Sequence, residues 1–245
     1  MYTNFAYIYD KLMYDVDYSK WADYVEKIFA KYKKKPSLVL DLGCGTGNFS
    51  IEMAKRGYDM IGVDISEDML SCAKDKSLEA SVDILYLNQD MCDFELYGTV
   101  DAIVCLMDSV NYVTDKRNLK KVFKLVKNYL NPEGLFIFDI NTAYKFGKVL
   151  SNNFFYDIGE DVTYIWDNKF DKRRHLCEFE LTFFFKDGDE KYFRHDENHI
   201  ERAYTHDEIK EIIEEAQLNL LNVYDELKFS PPREDSERVF YICKK

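Results

Sequence analysis

The sequence predicts an α/β protein built on a Rossmann-like sheet, and three features carry that prediction. An apolar strand, Leu38-Val-Leu-Asp41-Leu, breaks into a turn with Gly43, Gly45 and Gly47, then into a helical pattern bearing Phe49, Ile51, Met53 and Ala54. Tyr58-Asp-Met-Ile-Gly-Val-Asp64 reads as a second strand ending in a carboxylate. Val82-Asp-Ile-Leu-Tyr-Leu is a third, running into Asn88-Gln-Asp90-Met91. Short apolar runs alternating with helical periodicity indicate strands buried on both faces of a parallel sheet.

The turn chemistry narrows the ligand. A dinucleotide fingerprint, G-x-G-x-x-G, needs its third glycine at position 48, where this chain has Asn48. A phosphate loop needs Gly-Lys-Ser/Thr, which this region lacks. The turn carries an acid, Asp41, and no base, which suits a cationic ligand group better than a pyrophosphate. Asp64, closing the second strand, can accept both hydroxyls of a ribose, and such charge-assisted bonds contribute about 1.5–3 kcal/mol each. At the third strand an amide or carboxylate of Asn88-Gln-Asp90 can take an adenine amino group while Met91 packs on the ring.

These motifs resemble those of class I S-adenosylmethionine (SAM)-dependent methyltransferases. Asp41-Leu-Gly-Cys-Gly-Thr-Gly, Gly62-Val-Asp64-Ile-Ser and Gln89-Asp90-Met91 are similar to the first three cofactor motifs. Val100-Asp-Ala-Ile-Val-Cys-Leu-Met-Asp108 and Leu130-Asn-Pro-Glu-Gly-Leu-Phe-Ile-Phe-Asp139 are similar to the fourth and fifth. The N-terminal Tyr2-x-x-Phe5-Ala-x-x-Tyr9-Asp10, with Trp21 beyond, resembles bacterial small-molecule methyltransferases related to sugar-amine and glycine N-methyltransferases. The resemblance implies a seven-stranded sheet, mostly parallel with the last strand antiparallel. It also implies SAM as cofactor, with Asp41 at the methionyl amino end and Gly43, Cys44, Gly45 and Gly47 admitting its backbone. Asp64 would then hold the ribose and Asp90 with Met91 the adenine, with Ile65 and Leu106 also among the cofactor-binding residues. Tyr9 and Trp21 would close over the sulfonium, unless they are simply core aromatics; a ring face attracts a desolvated cation by roughly 0.5–2 kcal/mol.

The remaining elements follow in order. Residues 1–35 are expected to form a helical cap, with Ser19 capping a helix whose apolar positions are Ala22, Val25, Ile28, Phe29 and Tyr32. Ser66 reads as the N-cap of a helix through Met69, Leu70 and Ala73. After the fourth strand comes Asp108-Ser109-Val110-Asn111-Tyr112, where the resemblance places the substrate. A helix from Thr114 to Leu130 should end in the turn Asn131-Pro-Glu-Gly134. Residues 146–204 change texture and read as an antiparallel β insertion, a lid laid over the ligand edge. Its strands are Val162–Trp166, Leu176–Phe185 and Lys191–Arg202, with an Asp187-Gly188 turn. The core, begun over 36–145, resumes over 205–245 with a capping box at Thr205-His-Asp-Glu208 and two last strands.

In the insertion His195, Glu197 and His199 share one strand face. That face could bind substrate or take a proton from an ammonium or hydroxyl nucleophile, with His195 and His199 as the candidate catalytic groups and Arg202 beside them. It could equally hold a metal, or be a solvated face; no metal site is expected. Asp108-Ser-Val-Asn lacks the Pro-Pro-aromatic and Pro-Cys signatures of DNA base methyltransferases. With 245 residues, 33 Lys+Arg and 45 Asp+Glu, the formal charge of −12 is a poor field for duplex nucleic acid. Six scattered cysteines without a C-x-x-C suggest reduced thiols, and no targeting signal or membrane run is visible, so a cytoplasmic protein is expected.

The reading is thus SAM-dependent methyl transfer to a small-molecule acceptor, nitrogen before oxygen, by in-line displacement. Its rivals are a SAM or nucleoside sensor, a non-catalytic partner subunit, a tRNA or protein methyltransferase and, against the missing glycine at 48, a nicotinamide enzyme.

Overall fold

The computed structural model describes residues 6, 9, 10, 13, 16–160, 162–186 and 191–245. Tyr2 and Phe5 of the N-terminal motif and the Asp187-Gly188 turn lie outside them. The first part of the chain alternates helix and strand. α1 spans Tyr18–Lys31, β1 Leu38–Leu42, α2 Asn48–Lys55, β2 Asp59–Asp64, α3 Glu67–Glu79 and β3 Ile84–Asn88. β4 follows at Val100–Cys105, then a 3₁₀ turn at Ser109–Tyr112, α4 at Lys116–Tyr129 and β5 at Leu130–Asn141.

A π-helical turn, Lys145–Leu150, leads into four antiparallel strands: β6 Phe154–Ile158, β7 Val162–Asp171, β8 Leu176–Lys186 and β9 Tyr192–Arg202. α5 (His206–Glu215), β10 (Asn219–Asp225) and β11 (Arg238–Lys244) complete the main sheet. Its order is β10-β11-β5-β4-β1-β2-β3, with β11 antiparallel to both neighbours and the β1–β5 pairings parallel. This is the Rossmann-like sheet the sequence predicts.

Alternation along the central strands explains why both faces are covered. Leu40, Leu42, Ile103, Phe136, Phe138 and Tyr241 point to one side, where α4 and α5 bring Phe123, Val126, Ile209 and Ile212. Phe123 stands edge-on to Phe136 and Phe138 at 5.3 and 5.1 Å, and Phe138 stacks on Tyr241 at 4.9 Å. Val39, Val104, Ile137 and Phe240 point to the other side, under Val25, Ile28 and Phe29 of α1 and Phe49 and Met53 of α2. Each such side chain taken out of water contributes about 1.5–3 kcal/mol, so the sheet is the stable frame that fixes what stands on its edge.

Local details differ from expectation at three places. Asp17, not Ser19, caps α1, accepting from the Lys20 amide at 3.0 Å. Ser19 already lies in the first turn, where its carbonyl and hydroxyl accept from Arg56 at 3.1 and 2.9 Å. The Asn131–Gly134 turn is absorbed into β5 as a bulge: Leu130 pairs with Val100 and Leu135 with Ala102, and Glu133 takes φ +66°. The antiparallel sheet has a fourth strand, β6, whose residues are exposed except Phe155, which packs on Trp166 at 5.5 Å. One inward side chain leaves no alternating pattern to read. The caps Ser66 and Thr205/Glu208 form as the sequence indicates.

Candidate active site

Every parallel strand ends on the same edge, and there the glycine turn is folded tightly. Gly43 and Cys44 donate their amides to the Val63 carbonyl at 2.8 and 3.0 Å, tying the turn to the end of β2. Gly43, at φ +80°, comes so close to the 3₁₀ turn that a Cβ would lie 2.9 Å from Ser109 Oγ and 3.2 Å from Met91 Cε. Gly47 caps α2 at φ +75°, where a Cβ would meet Tyr86 Oη and Ala73 Cβ. The third glycine therefore sits at 47 to admit Tyr86 and α3. Asn48 is thereby released for other work: it donates to Asp10 at 2.9 Å and accepts from Lys76 at 2.5 Å. Asp10 also accepts from Thr46 at 2.6 Å and pairs with Lys76, so this network fastens the N-terminal segment to the turn.

The acids stand as the strand ends position them. Asp41 is buried, accepts from Ser50 Oγ at 2.5 Å, and burial pushes its carboxyl up to about 7, with the Ser50 bond opposing and Asp64 reinforcing. Asp64 accepts the Gly45 and Ser66 amides at 2.8 and 2.9 Å, one on each oxygen, which leaves further lone pairs on both. Burial raises its carboxyl, opposed by those same amides. Asp90 is exposed and holds the Cys92 amide at 2.8 Å; Ile65 is exposed beside the end of β2. Cys44 is half-buried, with burial pushing its thiol up, and Leu106 is buried with its carbonyl accepting from Ser109 Oγ at 2.8 Å. Asp41, the three glycines, Asp64, Asp90, Met91 and Ser109 thus line one stretch of edge from β1 to β4.

Beyond β4 a second group was only partly legible in the sequence. Arg238, at the start of β11, donates to Asp108 at 2.6 Å and to the fully buried Asp139, and its guanidinium lies 5.5 Å from the Trp21 ring. Asp139 also accepts the Met107 and Asp108 amides at 2.7 and 3.0 Å, fastening two left-handed residues (φ +56° and +57°). Trp21 therefore already carries a cation, that of Arg238, on its ring and packs on Phe240 at 5.4 Å. Tyr9 lies among Asp108, Asp10, Tyr18 and Arg238, and burial raises its phenol.

Two expected substrate contacts are used otherwise. Asn111 is fully buried, and its amide bridges Asn141 (O at 3.1 Å, N at 3.0 Å) and the Arg202 carbonyl at 2.9 Å. Its donors are spent on bracing the 3₁₀ turn to β5 and β9. Arg202 falls on the opposite face of β9 from the histidines, because side chains alternate, and reaches Glu208 at 3.4 Å and the Thr114 carbonyl at 3.5 Å. Ser109 and Tyr112 remain at the site, and His199 stands edge-on to Tyr112 at 5.8 Å with its pKa lowered by burial. His195 contacts Glu197 at 2.6 Å, four residues farther along β9, on the order of 13 Å from His199 at strand rise.

One residue of that face escaped the sequence reading. Glu201 continues the alternation His195, Glu197, His199, and it is buried, 3% exposed. A carboxylate in a strand whose other residues are exposed or half-buried carries no sequence signal of burial. Among the described residues its Oε2 has no hydrogen-bond partner. Burial holds its carboxyl well above the ordinary range; the Asp108 charge adds to this, while Arg238, Lys145 and a bond with Asn141 oppose it.

Among the described residues no three His, Cys, Asp or Glu side chains cluster as a metal site requires, and no helix is long and apolar enough to cross a membrane. A cavity of about 140 Å³ between Lys34–Pro36 and Asn131–Leu135 opens at the opposite edge of the sheet, away from this group.

Comparison with known proteins agrees with the geometry. A family described as "Methyltransferase domain" matches residues 39–134. A protein of Geobacillus sp. (strain WCH70) that carries a methyltransferase name is 35% identical over 245 residues, covering 100% of this chain and 99% of that one. An S-adenosylmethionine-dependent methyltransferase from Clostridium acetobutylicum ATCC 824 superposes with a TM-score of 0.91 at 38% identity, over 98% of this chain and 97% of its own. The sugar N-methyltransferase KedS8 from Streptoalloteichus shares the fold, with a TM-score of 0.79 at 18% identity over 96% and 92% of the two chains. A glycine turn that a Cβ would block, flanked by carboxylates suited to an ammonium and a ribose, fits SAM on the chain's own residues, and the chain belongs to the class I SAM-dependent methyltransferases.

Proposed function

We propose that the protein methylates a small-molecule acceptor, at nitrogen rather than oxygen, in a reducing cytoplasm where its six cysteines stay as thiols. The observation that carries this reading is the acceptor end of the site. Asp108, Glu201 and the Tyr9 and Tyr112 rings lie near one another, and Arg238 is already taken up by Asp108 and Asp139, so this acidic and aromatic surround favours an amine over an anion. KedS8, a sugar N-methyltransferase with the same fold, supports the same class of acceptor.

In this reading Asp41 receives the methionyl ammonium, directly or through water, and Asp64 the two ribose hydroxyls. Asp90 takes the adenine amino group and Met91 its face. Bound there, SAM supplies an electrophilic methyl on sulfur. The chain's own part is alignment and the exclusion of water. Asp139 and Arg238 together hold Asp108 and the Met107–Asp108 backbone rigid beside the glycine turn. Residues 1–35 act as a cap, fastened through Asp10, and residues 146–204 act as a lid bringing His199 and Glu201 to the acceptor.

Incubating the protein with SAM and a panel of amines, amino sugars, alcohols, phenols and bulk tRNA, read by mass spectrometry, tests this. Methylated amine with stoichiometric S-adenosylhomocysteine is the expected product. Methylation confined to hydroxyls or to tRNA would overturn it.

A further inference from the structure

The N-methylation reading leaves open which group takes the proton of the acceptor's nitrogen, for which the sequence offered His195 and His199. His195 is engaged with Glu197 along the strand, and His199 faces the Tyr112 ring. Glu201 differs from both. It is buried, its Oε2 has no partner among the described residues, and the charge acting on it most strongly is Asp108 on the rim of the cofactor edge. A buried polar atom left unpaired is costly, above all when it carries charge, and such an atom at a site is satisfied by what binds there.

Its surroundings select the ligand. Asp108 disfavours a second anion, and Lys145 is committed to Asn141 Oδ1 at 3.0 Å. Arg238 is held by Asp108 and Asp139. Cys177, cross-strand from Glu201, is buried and contributes no charge of its own as a thiol. The group that suits these surroundings is a cationic donor.

From this geometry we infer that Glu201 is the acceptor-binding carboxylate: its Oε2 receives an N–H of the acceptor's ammonium and takes that proton. One N–H bond breaks and one O–H bond forms, converting carboxylate and ammonium into carboxylic acid and neutral amine. The freed nitrogen lone pair is the nucleophile that methyl transfer requires, and the proton passes from Glu201 to water when product leaves. Burial, which raises the carboxyl's affinity for protons, favours its taking that proton.

The inference rests on the N-methylation reading but can fail separately from it. The probe is sinefungin, which carries a primary amine where SAM has its methyl sulfonium, measured against S-adenosylhomocysteine, which has an uncharged thioether there. Calorimetric titration of wild type and Glu201→Gln gives the ratio of the two affinities. We expect Glu201→Gln to weaken sinefungin about tenfold, the scale of one charge-assisted hydrogen bond, while S-adenosylhomocysteine binds within about twofold of wild type. An unchanged ratio with intact S-adenosylhomocysteine binding overturns the role of Glu201 and leaves the cofactor site standing. No S-adenosylhomocysteine binding by wild type overturns the site itself. Should Glu201→Gln bind neither ligand, Glu201→Asp, which keeps the charge, must retain the sinefungin preference, and its failure to do so overturns the inference.

Discussion

Asp41 is expected to make cofactor binding depend on pH in a defined direction. In the empty site its carboxyl is pushed up to about 7 because it is buried, with one bond from Ser50 Oγ and the Asp64 charge nearby. The ligand's ammonium pairs with the ionised form alone. Since folded, empty Asp41 is mostly protonated below 7, binding strengthens as pH rises and releases a proton. The ionised fraction is about 3% at pH 5.5 and about half at pH 7.0, so the apparent dissociation constant falls about 16-fold across that range. The range stays below the titration of the ligand's own α-amino group, near 7.7–8.0. Titration calorimetry in two buffers of different ionisation enthalpy measures both affinity and the proton released. Asp41→Asn binds more weakly and with little pH dependence. A wild-type affinity flat from pH 5.5 to 7.0, or an Asp41→Asn slope equal to wild type, would refute the assignment of the ammonium to Asp41.

The other predictions concern the frame and its braces. Phe123→Ala removes a ring packed on Phe136 and Phe138 and should destabilise by about 3–5 kcal/mol, read by urea denaturation with SAM absent. Arg238→Met leaves Asp139 buried without its cation and should cost about 3–5 kcal/mol of stability while lowering turnover through the loosened Asp108. Asp10→Asn weakens the tie to Lys76, Asn48 and Thr46, and should raise the SAM dissociation constant several-fold with little change in melting temperature. Thr205→Ala opens the capping box of α5 and should cost about 1 kcal/mol, visible as a lower urea midpoint at unchanged slope.

The main sheet was legible because its strands are apolar, end in carboxylates and alternate with periodic helices. Asp41, Asp64 and Asp90 could be ordered along one edge from sequence since each closes a successive strand. What escaped notice depends on chain-distant pairing. Arg238 meets Asp108 across 130 positions, and no local pattern announces an arginine that braces an active-site turn. Asn111 and Arg202 looked like ligand contacts because they flank the right elements. The three-dimensional register spends the amide of Asn111 and turns Arg202 to the far face of β9. Glu201 shares a face with the two histidines by simple alternation, but only burial against the core distinguishes it from its solvated neighbours. β6 was invisible for a related reason, a single inward residue, Phe155, in a strand of exposed ones.

Titration of S-adenosylhomocysteine and NAD into wild type and Asp64→Ala asks directly whether this edge of the sheet is a SAM site. S-adenosylhomocysteine alone should bind, and at least tenfold more weakly once Asp64 no longer receives the ribose hydroxyls. Binding of NAD, or S-adenosylhomocysteine binding indifferent to Asp64, would contradict the site as assigned.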